Sequence, residues 1–365
     1  MGNHARGPAG GVRLLGSLLL ALLPALHALP AAAQEKPLRI GALWLGPRKA
    51  PTVQCGARGL EPFPAEGAAP SLPPDALGFR AELEKLGYVE ERPENAGKPG
   101  RRFVLDVRMG GLEEVKRYAQ QFAQERVDLI LATPTLPVRA AQEATRANPI
   151  PILFTAVSDP VSDGFVQSLS RPGGWITGIS TQLIQGSGKR VEIFKEMLPG
   201  VRRLLTIYKP DFPVALRSMV EVRKAAADLG ITLLEKHAHN RDEVRAALAG
   251  VRREAVDGIL FAVDAVLVSN ADLVLEVALR ERVPTFGILD YMADWGALGS
   301  YGPSPHQAGR RAAHYAHKIF KGAKPADLPV EPLDPTFAIN LKAATRCYGV
   351  SVPAALLHQA DRVIR

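Results

Sequence analysis

Residues 38–45 (LRIGALWL) are apolar at nearly every position, and similar runs recur at 103–107, 127–132, 151–157 and 176–180. Short apolar runs bounded by polar turns predict strands buried on both faces. Between them the period changes. Phe79, Leu83 and Leu86 fall at helical spacing, as do Val115, Tyr118 and Phe122, then Val138, Ala141 and Ala144. Strand and helix alternating over short connections predict a parallel, doubly wound sheet. The pattern restarts after Gly186. Helix faces at Val191, Phe194 and Leu198, at Met219, Val222 and Ala226, and at Val244, Leu248 and Val251 alternate with apolar runs at 204–208, 232–235, 258–263 and 284–288. The chain therefore reads as two similar α/β lobes with a junction near 181–187. The tail after 298 is too short to hold a core of its own and must add to those lobes. More than one chain crossing between two lobes makes a hinge with a cleft.

Composition narrows the class. Apolar residues make up 47% and charged residues 22% of 365, as in globular proteins. Arg6 and Arg13 precede an apolar stretch, Leu14 to Leu29, that ends in Ala31-Ala32-Ala33. This is the pattern of an export signal cleaved near Ala33, so residues 1–33 stand apart from the fold and the mature chain is expected in the periplasm. Its loss lowers the formal net charge of +8 by two. Charges alternate in sign along the predicted helices and form no basic block, which argues against nucleic acid. Residues 46–74, rich in Pro, Gly and Ala, read as a long surface loop. An exported chain can bridge its two cysteines, Cys55 and Cys347. They are far apart in sequence and assigned to different lobes, so two free or partly buried thiols are expected.

Motifs for catalysis are missing. Gly186-Ser187-Gly188-Lys189 has Leu183 and Arg190 where a phosphate loop needs Gly and Ser or Thr, so it reads as a helix start. His237 and His239 lack a converging third ligand and read as surface residues. What remains are polar residues at predicted strand ends: Trp44, Thr133, Thr135, Ser158, Asp159, Thr181, Tyr208, Lys209, Asp264, Asp290 and Tyr301. In parallel sheets these ends face the cleft, where a small polar ligand needs a few placed donors and acceptors. Asp159, between Ser158 and Pro160, also suits a turn cap.

Several phrases in order carry a family resemblance: AELEKLGYVE at 81–90, VDLILA at 127–132, SDPVSDGFVQSLSRPGGWITGIS at 158–180, SGKRVEIFKEMLPGVRRL at 187–204, SYGP at 300–303, RRAAHYAHKIFKGAKPADLPVEP at 310–332 and AINLKAATRCYGVSVP at 338–353. Together they resemble the exported solute-binding proteins of ABC transporters, in the branch with tryptophan- and tyrosine-type binders. The resemblance implies a periplasmic binding protein type I fold: two Rossmann-like lobes with parallel sheets and a three-crossing hinge. Lobe I would be 37–183 plus 298–328, and lobe II 184–297 plus 329–365. It implies a monomeric receptor, without cofactor, metal or catalytic residues. Such a receptor closes on an amino acid or related small carboxylate and delivers it to a membrane permease. A sensory protein signalling to a membrane kinase is the alternative. The family usually has Gly-Thr where this chain has Pro134-Thr135, and often Asn-Pro where it has Lys209-Pro210. Lys209 would favour an extra carboxylate or phosphate on the ligand.

Overall fold

The computed structural model describes residues 36–45, 51–56, 59–62 and 72–365. The expected export segment and much of the loop 46–74 lie outside the described residues. The first half runs through β1 (Leu38–Leu45), a hairpin of β2 (Val53–Gly56) and β3 (Gly59–Pro62), α1 (Pro74–Lys85), β4 (Tyr88–Glu90) and β5 (Arg101–Gly110). It continues through α2 (Leu112–Glu125), β6 (Leu129–Thr133), α3 (Thr135–Ala144), β7 (Ile152–Val157) and β8 (Ile176–Ser180). The second half begins with α4 (Ser187–Met197), β9 (Arg203–Tyr208), α5 (Pro213–Asp228), β10 (Thr232–His237), α6 (Arg241–Leu248) and β11 (Gly258–Leu260). Next come α7 (Ala265–Ser269), α8 (Ala271–Glu281), β12 (Thr285–Gly287), α9 (Tyr291–Asp294) and β13 (Gly299–Gly302). The tail holds α10 (Pro305–Phe320), β14 (Glu331–Pro332), β15 (Thr336–Asn340), α11 (Leu341–Ala343), α12 (Ala354–Gln359) and β16 (Arg362–Ile364).

Two seven-stranded sheets result, ordered β14-β8-β7-β6-β1-β5-β4 and β10-β9-β11-β12-β13-β15-β16. The first is parallel throughout; in the second only β13 and β15 run antiparallel. Helices cover both faces of the first sheet, which is why β1, β6 and β7 can be apolar almost throughout. Ile40, Leu131, Phe79, Leu83 and Tyr315 pack under α1 and α10. Leu43, Ile130, Phe154 and Phe122 pack under α2 and α3. The second sheet has its own core, including Phe194, Leu205, Ile259, Phe286 and Ile339. Each such buried side chain contributes about 1.5–3 kcal/mol. Local signals fix the helix ends. Ser304 caps α10, with Pro305 in its first turn. The Glu114 carboxylate accepts from Gly111 N–H at 2.9 Å at the start of α2.

The chain passes between sheets after β8, between β13 and α10, and between β14 and β15. The boundaries expected at 298 and 329 each fall one strand too early. Gly299–Gly302 lies inside the second sheet, bonded to β12 and β15. Glu331–Pro332 lies on the first sheet's edge, bonded to β8. Helix α10 between them does pack on the first sheet.

The expectation of two free thiols is also corrected. Cys55 and Cys347 form a disulfide, 292 residues apart in sequence with Cα atoms 6.0 Å apart. The reason is the hairpin of β2 and β3. It leaves the first lobe after β1 but packs on the second, where Cys55 joins the core. Thr52 N–H donates to Glu276 on α8 at 2.6 Å. Among the described residues, no helix is long and apolar enough to cross a membrane.

Candidate functional site

The strand ends of both sheets face one cavity, part of it open to solvent. From the first lobe come Trp44 and Leu45 at the end of β1, Pro73 and Asp75 at α1, Met109, Thr133 to Leu136, Ala156 and Ser158. The second contributes Phe212, Val214, Val263 to Ala265, Val268, Ser269, Ile288 and Leu289. Leu183 and Pro305, beside two of the crossings, complete the wall. The lining is mainly apolar, and among the described residues no Lys, Arg or His belongs to it.

Asp75 is the polar centre of the first-lobe wall. Its residue is 1% exposed. Trp44 Nε1 donates to both of its oxygens at 3.0 Å, and Thr155 Oγ1 donates to Oδ2 at 3.0 Å. Thr155 in turn bonds Thr133. These are neutral donors, so they orient the carboxylate without neutralising it. On the opposite wall Asp264 caps α7, accepting from Leu267 N–H at 2.9 Å and Lys209 N–H at 3.0 Å. Burial raises its pKa above the ordinary aspartate value, against the backbone donors that lower it. Helix α3 starts at the cavity, and Pro134 at its N-cap offers no side-chain acceptor to the first turn. The N–H groups of Thr135 and Leu136 therefore have no side-chain cap there.

Of the residues singled out from sequence, Trp44, Thr133, Thr135, Ser158 and Asp264 line this cavity. Asp159 faces a neighbouring hollow with Ser158 and Gln182, and its Oδ1 accepts from Ser162 N–H at 3.1 Å, as a turn cap does. Thr181 is buried outside the lining, and its Oγ1 has no hydrogen-bond partner. Tyr208 turns away, donating to Glu235 at 2.7 Å and accepting from Arg223 at 2.9 Å. Lys209 reaches the site only through its backbone; its Nζ pairs with Asp211 at 3.3 Å. Among the described residues, that leaves no lysine charge in the cavity for an added anionic group. The backbone carbonyl of Asp290 accepts from Arg362 at 2.7 Å, and burial raises its carboxyl pKa. Tyr301 sits at the second crossing, where its carbonyl accepts from Arg190 at 3.2 Å. His237 meets Tyr208 and His239 meets Glu243, and among the described residues no cluster could hold a metal ion.

Sequence reading missed Asp75, Phe212, Val268 and Ser269. Asp75 follows Pro73-Pro74 and looks like an ordinary acidic first-turn residue. Only the packing of α1 beside β1 and β7 turns it inward.

Comparison with known proteins agrees with this geometry. Residues 105–364 match the family described as ABC transporter substrate binding protein. The chain is 28% identical over 269 residues to a tyrosine-binding protein of Clostridioides difficile, covering 73% of this chain and 74% of that one. A conserved domain protein from Vibrio cholerae superposes with TM-score 0.71 at 27% identity, over 90% of this chain and 100% of its own. The L-Trp complex of an ABC domain from Streptococcus pneumonia shares the fold, with TM-score 0.70 at 22% identity and the same coverage.

Proposed function

Since the chain belongs to the ABC transporter substrate-binding protein family, we propose that it is an exported receptor that captures an amino acid with an apolar or aromatic side chain. The observation that carries this reading is Asp75. It is a buried carboxylate held by neutral donors, in an apolar cavity to which, among the described residues, no cationic side chain belongs. Such a wall favours a ligand that brings its own positive charge and an apolar body. A free α-amino acid fits. Its ammonium group would meet Asp75, and its carboxylate the uncapped N–H groups at the start of α3. A plain acid without an amine would leave Asp75 unneutralised. The related tyrosine-binding protein points to the same ligand class.

The receptor works by closure. A ligand touching both walls holds the two lobes together, and the closed form is what a membrane permease recognises. No covalent step is required, and the chain is read as a binding protein rather than an enzyme.

Calorimetric titration with L-tyrosine, L-tryptophan, L-phenylalanine and their deaminated acids tests this. At least one amino acid is expected to bind, and its deaminated acid to bind at least ~100-fold more weakly, the size of a lost buried charge pair. Asp75→Asn should reduce amino-acid affinity similarly while the fold survives. Equal binding of acid and amino acid, or full affinity in the Asp75→Asn variant, would refute the assignment.

A further inference from the structure

The first crossing between the lobes turns at one residue. Up to Thr181 the chain is held by the first lobe. β8 pairs there with β7 and β14, and Thr181 N–H donates to the Val157 carbonyl at 3.2 Å. From Leu183 it is held by the second. The Leu183 side chain joins that lobe's core. Its carbonyl accepts from Ser187 Oγ at 3.2 Å and from the Arg190 guanidinium. Arg190 is 2% exposed. It also donates to Ser187 Oγ at 2.8 Å and to the Tyr301 carbonyl at 3.2 Å. Hydrogen bonds from a charged donor are about twice as strong as neutral ones, so Leu183 moves with α4 and β13. Gln182 lies between the two anchored residues. Its carbonyl already accepts from Gly186 N–H at 3.2 Å, inside the turn that leads to α4. The freedom left is in ψ of Thr181 and φ of Gln182.

Gln182 has a φ of +46°, in the left-handed region. Among the described residues two other non-glycine residues have positive φ, Arg126 and Arg282, and both close helices, where that conformation is common. Gln182 closes no helix, and its side chain is exposed, so packing does not impose the conformation. The other two crossings carry Pro303 and Pro335, whose rings fix φ. We propose that Gln182 is the pivot of lobe closure and that its left-handed conformation belongs to the closed form. The inference rests on the closure reading above. In this structure the lobes touch, with Asp163 and Arg217 at 3.3 Å. Turning Gln182 to negative φ rotates one lobe on the other and parts that contact. Hinges place such changes on a few loop residues. A left-handed glutamine disfavours the closed form by about ten-fold in population, and the open form is free of that cost. The pivot therefore holds the ligand-free receptor toward the open form, and apparent affinity scales with the closed share.

Single-molecule energy transfer on the ligand-free protein tests the pivot. Dyes are carried by unnatural residues at Glu113 and Asp242, which leaves the Cys55–Cys347 disulfide intact. These side chains, 83% and 89% exposed, stand at the starts of α2 and α6 on opposite lobes. Gln182→Gly removes the left-handed cost and is expected to raise the closed-to-open ratio about ten-fold. Gln182→Asn, which tolerates the conformation, should raise it less. Gln182→Val, β-branched and ill suited to positive φ, should lower it. Gln185→Gly, beyond the pivot on the second-lobe side, should leave it unchanged. Far-UV dichroism checks that each variant is folded; the glycine and asparagine variants carry the test if the valine variant is not. A residue left-handed in both forms would raise the melting temperature in Gln182→Gly without moving the ratio. That result would overturn the proposal, as would glycine and valine moving the ratio in the same direction, or one fixed distance in every form. No ligand is used, so this failure is separate from that of the amino-acid reading, which calorimetry tests on the wild type.

Discussion

At the scale of single residues, the glycines of α1 and α10 explain how Asp75 is held. A Cβ on Gly309 would sit 1.9 Å from the Asp75 carbonyl oxygen, and one on Gly78 would sit 2.0 Å from that of His306. Each helix thus rests on the other's backbone through a missing side chain. Gly309→Ala must push α1 and α10 apart, with an overpacking cost of about 1–3 kcal/mol. The displaced residue is Asp75 itself, so affinity for the amino acid should fall as well. Gly188, in α4, has ordinary van der Waals room, and Gly188→Ala should stabilise by up to ~1 kcal/mol. Urea denaturation of both variants checks the contrast; equal effects would mean that α10 yields at no cost. None of this is visible in the sequence. Gly78 and Gly309 are two glycines among 33, and nothing local marks them as contact points. Strand ends were easier to find, because β6 finishes in Thr133 and β7 runs directly into Ser158 after apolar runs. Which of those polar residues would face the cleft was not, since successive strand residues point to opposite faces. Trp44 points in; Tyr208 points away.

At the scale of elements, α1 and α10 are also joined by charge. Glu82 accepts from Arg310 Nε at 2.7 Å and from Lys85 at 3.3 Å, and lies 3.3 Å from His314. The Arg310 hydrogen bond is the main cause, ahead of the opposing burial and of Lys85, that holds the Glu82 carboxyl at about 2. A carboxyl whose folded pKa lies below its unfolded value of 4.5 stabilises the fold above that value. The contribution is lost as pH falls from about 4.5 to about 2. Its partners Arg310 and Lys85 are about half in water, so screening keeps the gain to about 1 kcal/mol or less. Glu82→Gln should therefore be slightly less stable than wild type at pH 7, and the difference should vanish on acidification through that window. Denaturant midpoints at pH 7, 4 and 2.5 test it; a difference that is undiminished at pH 2.5 would point to lost packing instead. The amphipathic spacing of Phe79 and Leu83 made α1 legible in sequence. The fact that α10, some 230 residues later, covers it was not, because an apolar stripe does not name its partner.

At the scale of the whole molecule, two lobes and a cleft were readable from the restart of the β-α pattern after Gly186. The family phrases carried the same message. The traffic of the chain between lobes was not readable. β13 and β14 are short, and short strands carry no mark of the sheet that they join. The hairpin's crossing to the second lobe was hidden for the same reason, and with it the disulfide. One direct link between the lobes is polar and equally silent in sequence. Asp163, in the loop after β7, lies 3.3 Å from Arg217 on α5 of the other lobe. The Asp163 side chain is 10% exposed, and its Oδ2 and Arg217 Nε have no hydrogen-bond partner. On the proposed closure this pair forms only when the lobes meet, so it weighs on the open–closed balance rather than on the ligand. A partly exposed pair of this kind is worth about 1 kcal/mol, which corresponds to about a five-fold change in apparent affinity through the closed fraction. Asp163→Asn and Arg217→Met should each weaken amino-acid binding by about that factor, and the double variant by no more than either alone. Binding isotherms of the wild type, both single variants and the double variant decide it: additive losses would remove the pair from the closing mechanism.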